Sequence, residues 1–140
     1  MRSLGLDIGD KRIGVALSDP AGILASPLTI INCRDNAADV AAITDIISRQ
    51  QVKQVIVGLP RSMDGSLGKQ AEKVKAFTEE LCRHTEVRID FRDERLTTVS
   101  AKRLMRAANT RKAKKKTRHD AIAAALILQG YLDEEPAPGL

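Results

Sequence analysis

The chain has few of the residues that cysteine, zinc or base-stacking chemistry requires. Its 140 residues include two cysteines, two phenylalanines, one tyrosine and no tryptophan. Cys33 and Cys82 stand far apart without a Cys-x-x-Cys spacing, so we expect neither a zinc site nor a disulfide framework. The scarcity of aromatic rings argues against base stacking as the main mode of any nucleic-acid binding.

Long apolar segments are missing as well. No stretch is apolar over the length of a membrane span, and the chain begins on strand-like residues rather than on a charged leader. We therefore expect a reduced, cytoplasmic protein that makes no membrane contact. The length fits one domain, which we place at residues 1–134, with residues 135–140 as a flexible tail.

Positive charge is concentrated in one segment. The net charge is +5, and six cations lie in a short stretch without acidic residues. These six are Arg111, Lys112, Lys114, Lys115, Lys116 and Arg118. Such a basic segment favours a polyanionic partner such as nucleic acid, although a solvated loop without a partner has the same composition.

The first half of the chain predicts a meander followed by a crossover. Residues 2–8 and 12–18 read as strands joined by a short turn, and Ile23 to Ile31 reads as a third strand. Successive strands with tight connections predict antiparallel pairing. Asn36 then caps a predicted helix, and the apolar run VKQVIVGLP after it predicts a buried parallel strand.

The second half predicts three helices and one more strand. Apolar residues three or four apart from Leu67 to Leu81 predict a helix, and further helices are predicted at about 97–108 and 119–132. Residues 87–94 alternate like a strand near a sheet edge. Its predicted apolar face carries Val87, Ile89 and Phe91, and its polar face carries Arg88, Asp90 and Arg92. The result is an α/β ribonuclease H-like fold, with a mixed five-stranded sheet of three antiparallel then two parallel strands, and helices on both faces.

Asp7 is an unusual residue for a strand of the predicted core. A buried carboxylate is costly unless it is hydrogen-bonded, paired or bound to a metal. Strand alternation places Asp7 on one face with Gly5 and Gly9, and Gly14 and Ala16 of the next strand share a face in the same way. These small residues leave space for a metal or a phosphate, although hydrogen bonds to loop amides would also explain Asp7.

Two further carboxylates are predicted to meet Asp7. Glu94 follows the last strand, where open α/β sheets bind ligands, and Asp120 lies in the first turn of an alanine-rich helix. Compensation of the helix dipole is the alternative role for Asp120. Three converging carboxylates beside a basic segment predict a site for two Mg²⁺ or Mn²⁺ ions, which activate water and stabilise the leaving oxygen in phosphodiester hydrolysis.

The sequence resembles the YqgF family, also called RuvX, over nearly its whole length. Four blocks carry the resemblance in the family order: LDIGDKRIGVALSD, VIVGLPRSMDGSLGKQAEKVKAF, DERLTTVSAKRLM and HDAIAAALILQGYLD. The resemblance implies the ribonuclease H-like fold and a catalytic, metal-binding set of Asp7, Glu94 and Asp120. It also implies a nuclease of either pre-16S rRNA or Holliday junctions. His119 departs from the aliphatic residue that many members have there, and we consider it as an auxiliary residue or as an ordinary helix-start residue.

Phosphate contacts are expected from Lys11, Arg12, Arg61 and the basic segment, which gives affinity without reading sequence. We favour processing of the 5′ end of pre-16S rRNA by a monomer or weak homodimer that contacts ribosomal particles. A Holliday junction resolvase acting as a dimer is the second interpretation, and a non-catalytic nucleic-acid-binding factor is the third. The glycine-rich hairpin around Asp7 also resembles that of sugar kinases and actin-like ATPases, but those enzymes need a second lobe.

Overall fold

A computed structural model describes residues 1–60, 68–93 and 116–134, with residues 116–120 described by their backbone alone. Within these ranges the chain forms five strands and three helices. In chain order they are β1 (Arg2–Ile8), β2 (Arg12–Ser18), β3 (Ala25–Asn32), α1 (Asn36–Arg49), β4 (Val52–Leu59), α2 (Lys69–Arg83), β5 (Arg88–Asp93) and α3 (Lys116–Glu134). None of the described helices is long and apolar enough to cross a membrane.

The five strands form one mixed sheet in the order β3-β2-β1-β4-β5. β1 pairs antiparallel with β2, and β2 pairs antiparallel with β3. β4 lies parallel to β1 and to β5. The predicted meander and the two parallel strands are therefore confirmed, and the carboxyl ends of β1, β4 and β5 meet at one edge of the sheet, which we call the carboxyl edge.

Strand alternation divides the apolar residues between the two faces of the sheet. Leu4 and Leu6 of β1 face α1 and α2, where they join a buried cluster with residues such as Ile43, Val74 and Phe77. This cluster is the main hydrophobic core, because nearly all its members are less than 10% exposed.

The opposite face of the sheet packs against α3. Ala16 of β2 and Ile56 of β4 are fully buried there against the alanine-rich side of α3, including Ala124 and Leu128. Small residues on both partners let the helix lie close to the strands. Helices on both faces of the sheet are thus confirmed.

The ends of several elements differ from the sequence-based expectation; α3, for example, begins at Lys116, three residues before the predicted start. Asp35, and not Asn36, caps α1: its backbone is extended and its carboxylate accepts the N–H of Ala38 at 2.8 Å. β3 begins at Ala25 instead of Ile23, which is 68% exposed. The prediction of Leu67 as a helical residue, and that of a helix at 97–108, lie outside the described residues.

The two faces of β5 are those predicted, but their burial differs from the expectation. Ile89 packs on the main core as expected, but Phe91 is 42% exposed and Arg92 is only 7% exposed. The reason is that α3 covers the face that Arg92 shares with Arg88 and Asp90, so its guanidinium reaches Gly130 and Glu134. The sequence of β5 does not indicate the burial of Arg92, because Gly130 and Glu134, which contact it, lie far away along the chain.

Candidate active site

Asp7 lies one residue before the end of β1, at the carboxyl edge, and is half-buried. It pairs with Gly14 of β2, and Gly5 pairs with Ala16, so these four residues share the face that α3 covers. The predicted common face of Asp7 and its small neighbours is confirmed.

The small residues around Asp7 do not all leave open space, however. A methyl group on Gly5 would lie 2.8 Å from both the carbonyl oxygen of Ala124 and the Cβ of Leu128. The space above Gly5 is therefore filled by the backbone of α3. The prediction of an open ligand space was wrong at Gly5, where the absence of a side chain brings α3 against the strand that carries Asp7.

The backbone of α3 brings Asp120 toward the same edge. Gly5 is level with Ala124 and Leu128, while the hydroxyl of Tyr131 accepts a 2.6 Å hydrogen bond from Gln54, near the start of β1. α3 therefore runs antiparallel to β1. Asp120 comes about one helical turn before Ala124, so its backbone lies nearer to the carboxyl edge than that of Ala124. The side chains of residues 116–120, including His119, lie outside the description.

Glu94 also lies outside the described residues. It follows β5 directly in sequence, and Asp93, the last residue of β5, pairs with Leu59 at the carboxyl end of β4. Arg92, two residues before Glu94, is on the α3 face of the sheet. The strand on which the prediction for Glu94 depends is thus in place at the expected edge.

Two of the predicted phosphate-binding cations lie beside Asp7. Lys11 lies in the β1–β2 turn and Arg12 is the first residue of β2. The N–H of Gly9 closes the turn with a 2.9 Å hydrogen bond to the carbonyl of Arg12. Pairing puts Arg12 on the same face as Gly9 and Asp7, and Lys11 is exposed. The other predicted cations lie outside the described side chains: Arg61, Arg111, Lys112, Lys114, Lys115, Lys116 and Arg118.

The β1–β2 turn is held by contacts from α2 that the sequence did not reveal. Gln70 donates a 3.2 Å hydrogen bond to the carbonyl of Ile8, and Lys73 forms a 2.9 Å ion pair with Asp10. The spacing of Gln70 and Lys73 places them on one side of α2, but that spacing says nothing about the turn they contact. The Gln70 hydrogen bond ties the hairpin that carries Lys11 and Arg12 to α2, whereas the Lys73–Asp10 pair is exposed on both sides and adds little.

A cysteine lies near this hairpin without suiting nucleophilic chemistry. The N–H of Cys33 donates to the carbonyl of Lys11 at 2.9 Å. Burial and the nearby Asp39 carboxylate raise the pKa of the Cys33 thiol above its ordinary value of 9.0. At neutral pH the group is a thiol and a poor nucleophile.

The donor chemistry of the predicted set suits hard divalent cations. Aspartate and glutamate oxygens are the ligands that Mg²⁺ and Mn²⁺ prefer. No cluster of three or more His, Cys, Asp or Glu occurs among the residues that the structure describes, a set that leaves out Glu94 and the side chain of Asp120. Asp7, half-buried at the carboxyl edge, is the described member of the predicted site.

The fold defines the class of protein. RuvC from Thermus thermophilus, in complex with a Holliday junction substrate, is similar with a TM-score of 0.65 at 13% identity, and the match covers 98% of each chain. The fowlpox virus Holliday junction resolvase is similar with a TM-score of 0.61 at 13% identity, covering 96% of this chain and 100% of that one. The chain has the ribonuclease H-like fold of these resolvases.

Sequence comparison identifies the family within this class. The family model described as "RuvX: Holliday junction resolvase" matches residues 1–134, and the chain belongs to the RuvX family. A relative from Moorella thermoacetica, named "Putative pre-16S rRNA nuclease", is 50% identical over 95% of both chains. A relative of the same name from Clostridium botulinum strain Hall is 46% identical, over 95% of this chain and 97% of the other. The resemblance stated from the sequence blocks is confirmed.

Proposed function

We propose that this chain cleaves precursor 16S rRNA by hydrolysing phosphodiester bonds at the carboxyl edge, with divalent metal held by Asp7, Glu94 and Asp120. As a RuvX family member it is a nuclease, a hydrolase acting on nucleic acid. The observation that carries the choice of residues is the contact between Gly5 and α3. It brings the helix of Asp120 directly against the strand of Asp7.

In this proposal each carboxylate comes from a different part of the fold. Asp7 comes from a central strand, Glu94 follows a strand at the sheet edge, and Asp120 comes from the helix that packs on the sheet. Three ligands on separate elements require the fold to be complete before metal binds. When bound, divalent ions polarise the phosphate and lower the pKa of water at the reacting centre.

The cations hold the substrate. Arg12 shares the face of Asp7, so its guanidinium is suited to orient a phosphate beside the carboxylates. Lys11 lies exposed at the tip of the same turn. We assign the basic segment, with Arg61, to more distant phosphates. Contacts of this kind bind the backbone without reading base sequence.

We favour RNA over a four-way DNA junction as the substrate. The relatives at 46–50% identity carry a pre-16S rRNA nuclease name, whereas the resolvases of known structure are 13% identical and share only the fold. We further propose that residues 1–134 act as one domain, as a monomer or weak homodimer, in the cytoplasm on ribosomal particles. Mg²⁺ or Mn²⁺, two ions per site, is the proposed cofactor.

A cleavage assay separates these functions. Labelled pre-16S leader RNA and a four-way DNA junction are each incubated with wild type, Asp7→Asn or Asp10→Asn, in Mg²⁺ or Mn²⁺. Asp10 is the matched control, since it is an exposed carboxylate of the adjacent turn that pairs with Lys73. We expect metal-dependent cleavage of the RNA by wild type and Asp10→Asn, and none by Asp7→Asn.

Other outcomes contradict the proposal. Preferential cleavage of the junction would make the chain a resolvase. Equal RNA binding by all three proteins without any cleavage would favour a non-catalytic binding factor.

A further inference from the structure

Arg92 is a buried charged residue that the proposed chemistry does not use. Its side chain is 6% exposed, although β5 is an edge strand. The guanidinium forms an ion pair with Glu134 in the last turn of α3 and packs against Gly130. Burying an arginine costs desolvation free energy. The contacts that Arg92 makes therefore indicate which elements of the fold it joins.

Gly130 is required for this arrangement. A methyl group there would lie 2.7 Å from one terminal nitrogen of Arg92 and 2.8 Å from its Nε. The flat guanidinium therefore lies directly on the helix backbone. This contact joins β5 to the carboxyl-terminal third of α3.

Two other polar contacts anchor the same third of α3 to other strands. Gln129 accepts the N–H of Ala25 at 2.8 Å, on the β3 side. Tyr131 accepts from Gln54 of β4 at 2.6 Å. All three anchors are at the end of α3 far from Asp120. Ten residues separate Gly130 from Asp120, or about 15 Å of helix, so a tilt of about 5° at the anchors displaces Asp120 by about 1.3 Å.

Arg92 differs from the other two anchors in the elements it joins. It connects α3, which carries Asp120, with β5, which Glu94 follows directly, two residues after Arg92. The anchors at Gln54 and Gln129 join α3 to strands that supply no proposed ligand. Metal sites tolerate displacements of only about 0.5 Å in their ligands.

We propose that Arg92 is a positioning residue for the metal site: by clamping β5 to α3 it sets the position of the helix that carries Asp120 relative to the end of β5, which Glu94 follows. This inference rests on the proposed function, because it assigns Arg92 a task only if Glu94 and Asp120 bind metal. A merely structural Arg92 would lower the stability of the fold and leave metal affinity unchanged.

The test measures Mn²⁺ binding by isothermal titration calorimetry, together with thermal unfolding. The variants are Arg92→Met, which keeps an unbranched side chain without charge, and Arg92→Lys, which keeps the charge without the planar fork. Val74→Ala is the control for lost stability, since Val74 is fully buried on the opposite face of the sheet. Glu134→Gln removes the ion pair from its half-exposed partner and provides a variant expected to fold normally.

We expect Arg92→Met to weaken Mn²⁺ binding about tenfold, which is the usual scale for residues that orient metal ligands. Arg92→Lys and Glu134→Gln should weaken it less, and Val74→Ala should bind like wild type. Saturating Mn²⁺ should restore most of the cleavage by Arg92→Met. Wild-type affinity in both Arg92→Met and Glu134→Gln would overturn the inference.

Failure of the proposed function would look different. In that case wild type would bind no Mn²⁺, or Asp7→Asn would bind it as well as wild type. Loss of binding in Asp7→Asn alone, with unchanged binding in every Arg92 and Glu134 variant, would refute the positioning role and leave the proposed function standing.

Discussion

Substitution of Gly5 by alanine tests whether the contact between β1 and α3 controls the site. The added methyl group would lie 2.8 Å from a backbone oxygen and from a Cβ, against an ordinary limit of 3.4 Å, so α3 must retreat by about 0.6 Å. Overpacking of this kind costs about 1–3 kcal/mol, and alanine recovers about 0.5–1 kcal/mol of backbone entropy. At the middle of these ranges the net loss is about 1.2 kcal/mol, or roughly 4 °C in Tm for a chain of this size.

The assay combines thermal unfolding with RNA cleavage measured well below both transitions. Because displacement of α3 also moves Asp120, we expect Gly5→Ala to lose about tenfold or more in cleavage rate. Ile43→Val is the control: it removes about 0.5–1.5 kcal/mol from the core on the other face of the sheet and should leave cleavage unchanged. A wild-type Tm in Gly5→Ala would refute the close contact. A lowered Tm with undiminished cleavage would refute the coupling of that contact to the site.

Three further predictions concern protonation and charge. Hydrogen bonds from the backbone of Leu24 and Ile23 lower the pKa of Asp19 below 3.8, so its contribution to stability is complete above that value and is lost as the pH falls through the lower folded pKa. The difference in unfolding free energy between wild type and Asp19→Asn, followed by urea unfolding, should therefore shrink in acid; a difference that persists unchanged at the lowest pH would contradict this. Cys33, half-buried and with a raised pKa, should react more slowly with a disulfide reagent at pH 8 than the exposed Cys82, and equal rates would show that its shielding is absent. Lys11→Ala should reduce the slope of log affinity against log salt for single-stranded RNA by about 0.7. Lys53→Ala, near the start of β4 at the opposite end of the strands, should leave the slope unchanged. Equal slopes for wild type and Lys11→Ala would show that Lys11 does not contact the RNA.

The fold was predictable because its signals are local. Tight turns after residues 8 and 18, and the apolar periods of α1 and α2, define elements from near neighbours in sequence. The order of β1, β2 and β3 followed from the short connections, which favour adjacent antiparallel strands. The largest error occurs where a distant residue decides: Arg92 is buried because Glu134 and Gly130 contact it, and no local pattern of β5 indicates that contact.

Some residues of the candidate site could be predicted from the sequence, and others could not. Asp7 was identifiable because a carboxylate between glycines contradicts the apolar pattern of its strand. The function of those glycines was predicted only in part, since Gly5 receives a helix and not a ligand. The support of the β1–β2 turn by Gln70 and Lys73 depends on how α2 docks, which is a tertiary property that sequence spacing does not contain.

The most direct test of the central claim compares four single substitutions in metal-dependent cleavage of pre-16S leader RNA: Asp7→Asn, Glu94→Gln, Asp120→Asn and Asp10→Asn. Each changes one carboxylate to its amide and keeps its shape, and Asp10 is the exposed neighbour that pairs with Lys73. We expect the first three each to abolish cleavage in Mg²⁺ and Asp10→Asn to retain it. Full cleavage by any of the first three, or an equal loss in all four, would contradict the assignment of these carboxylates as the metal-binding set.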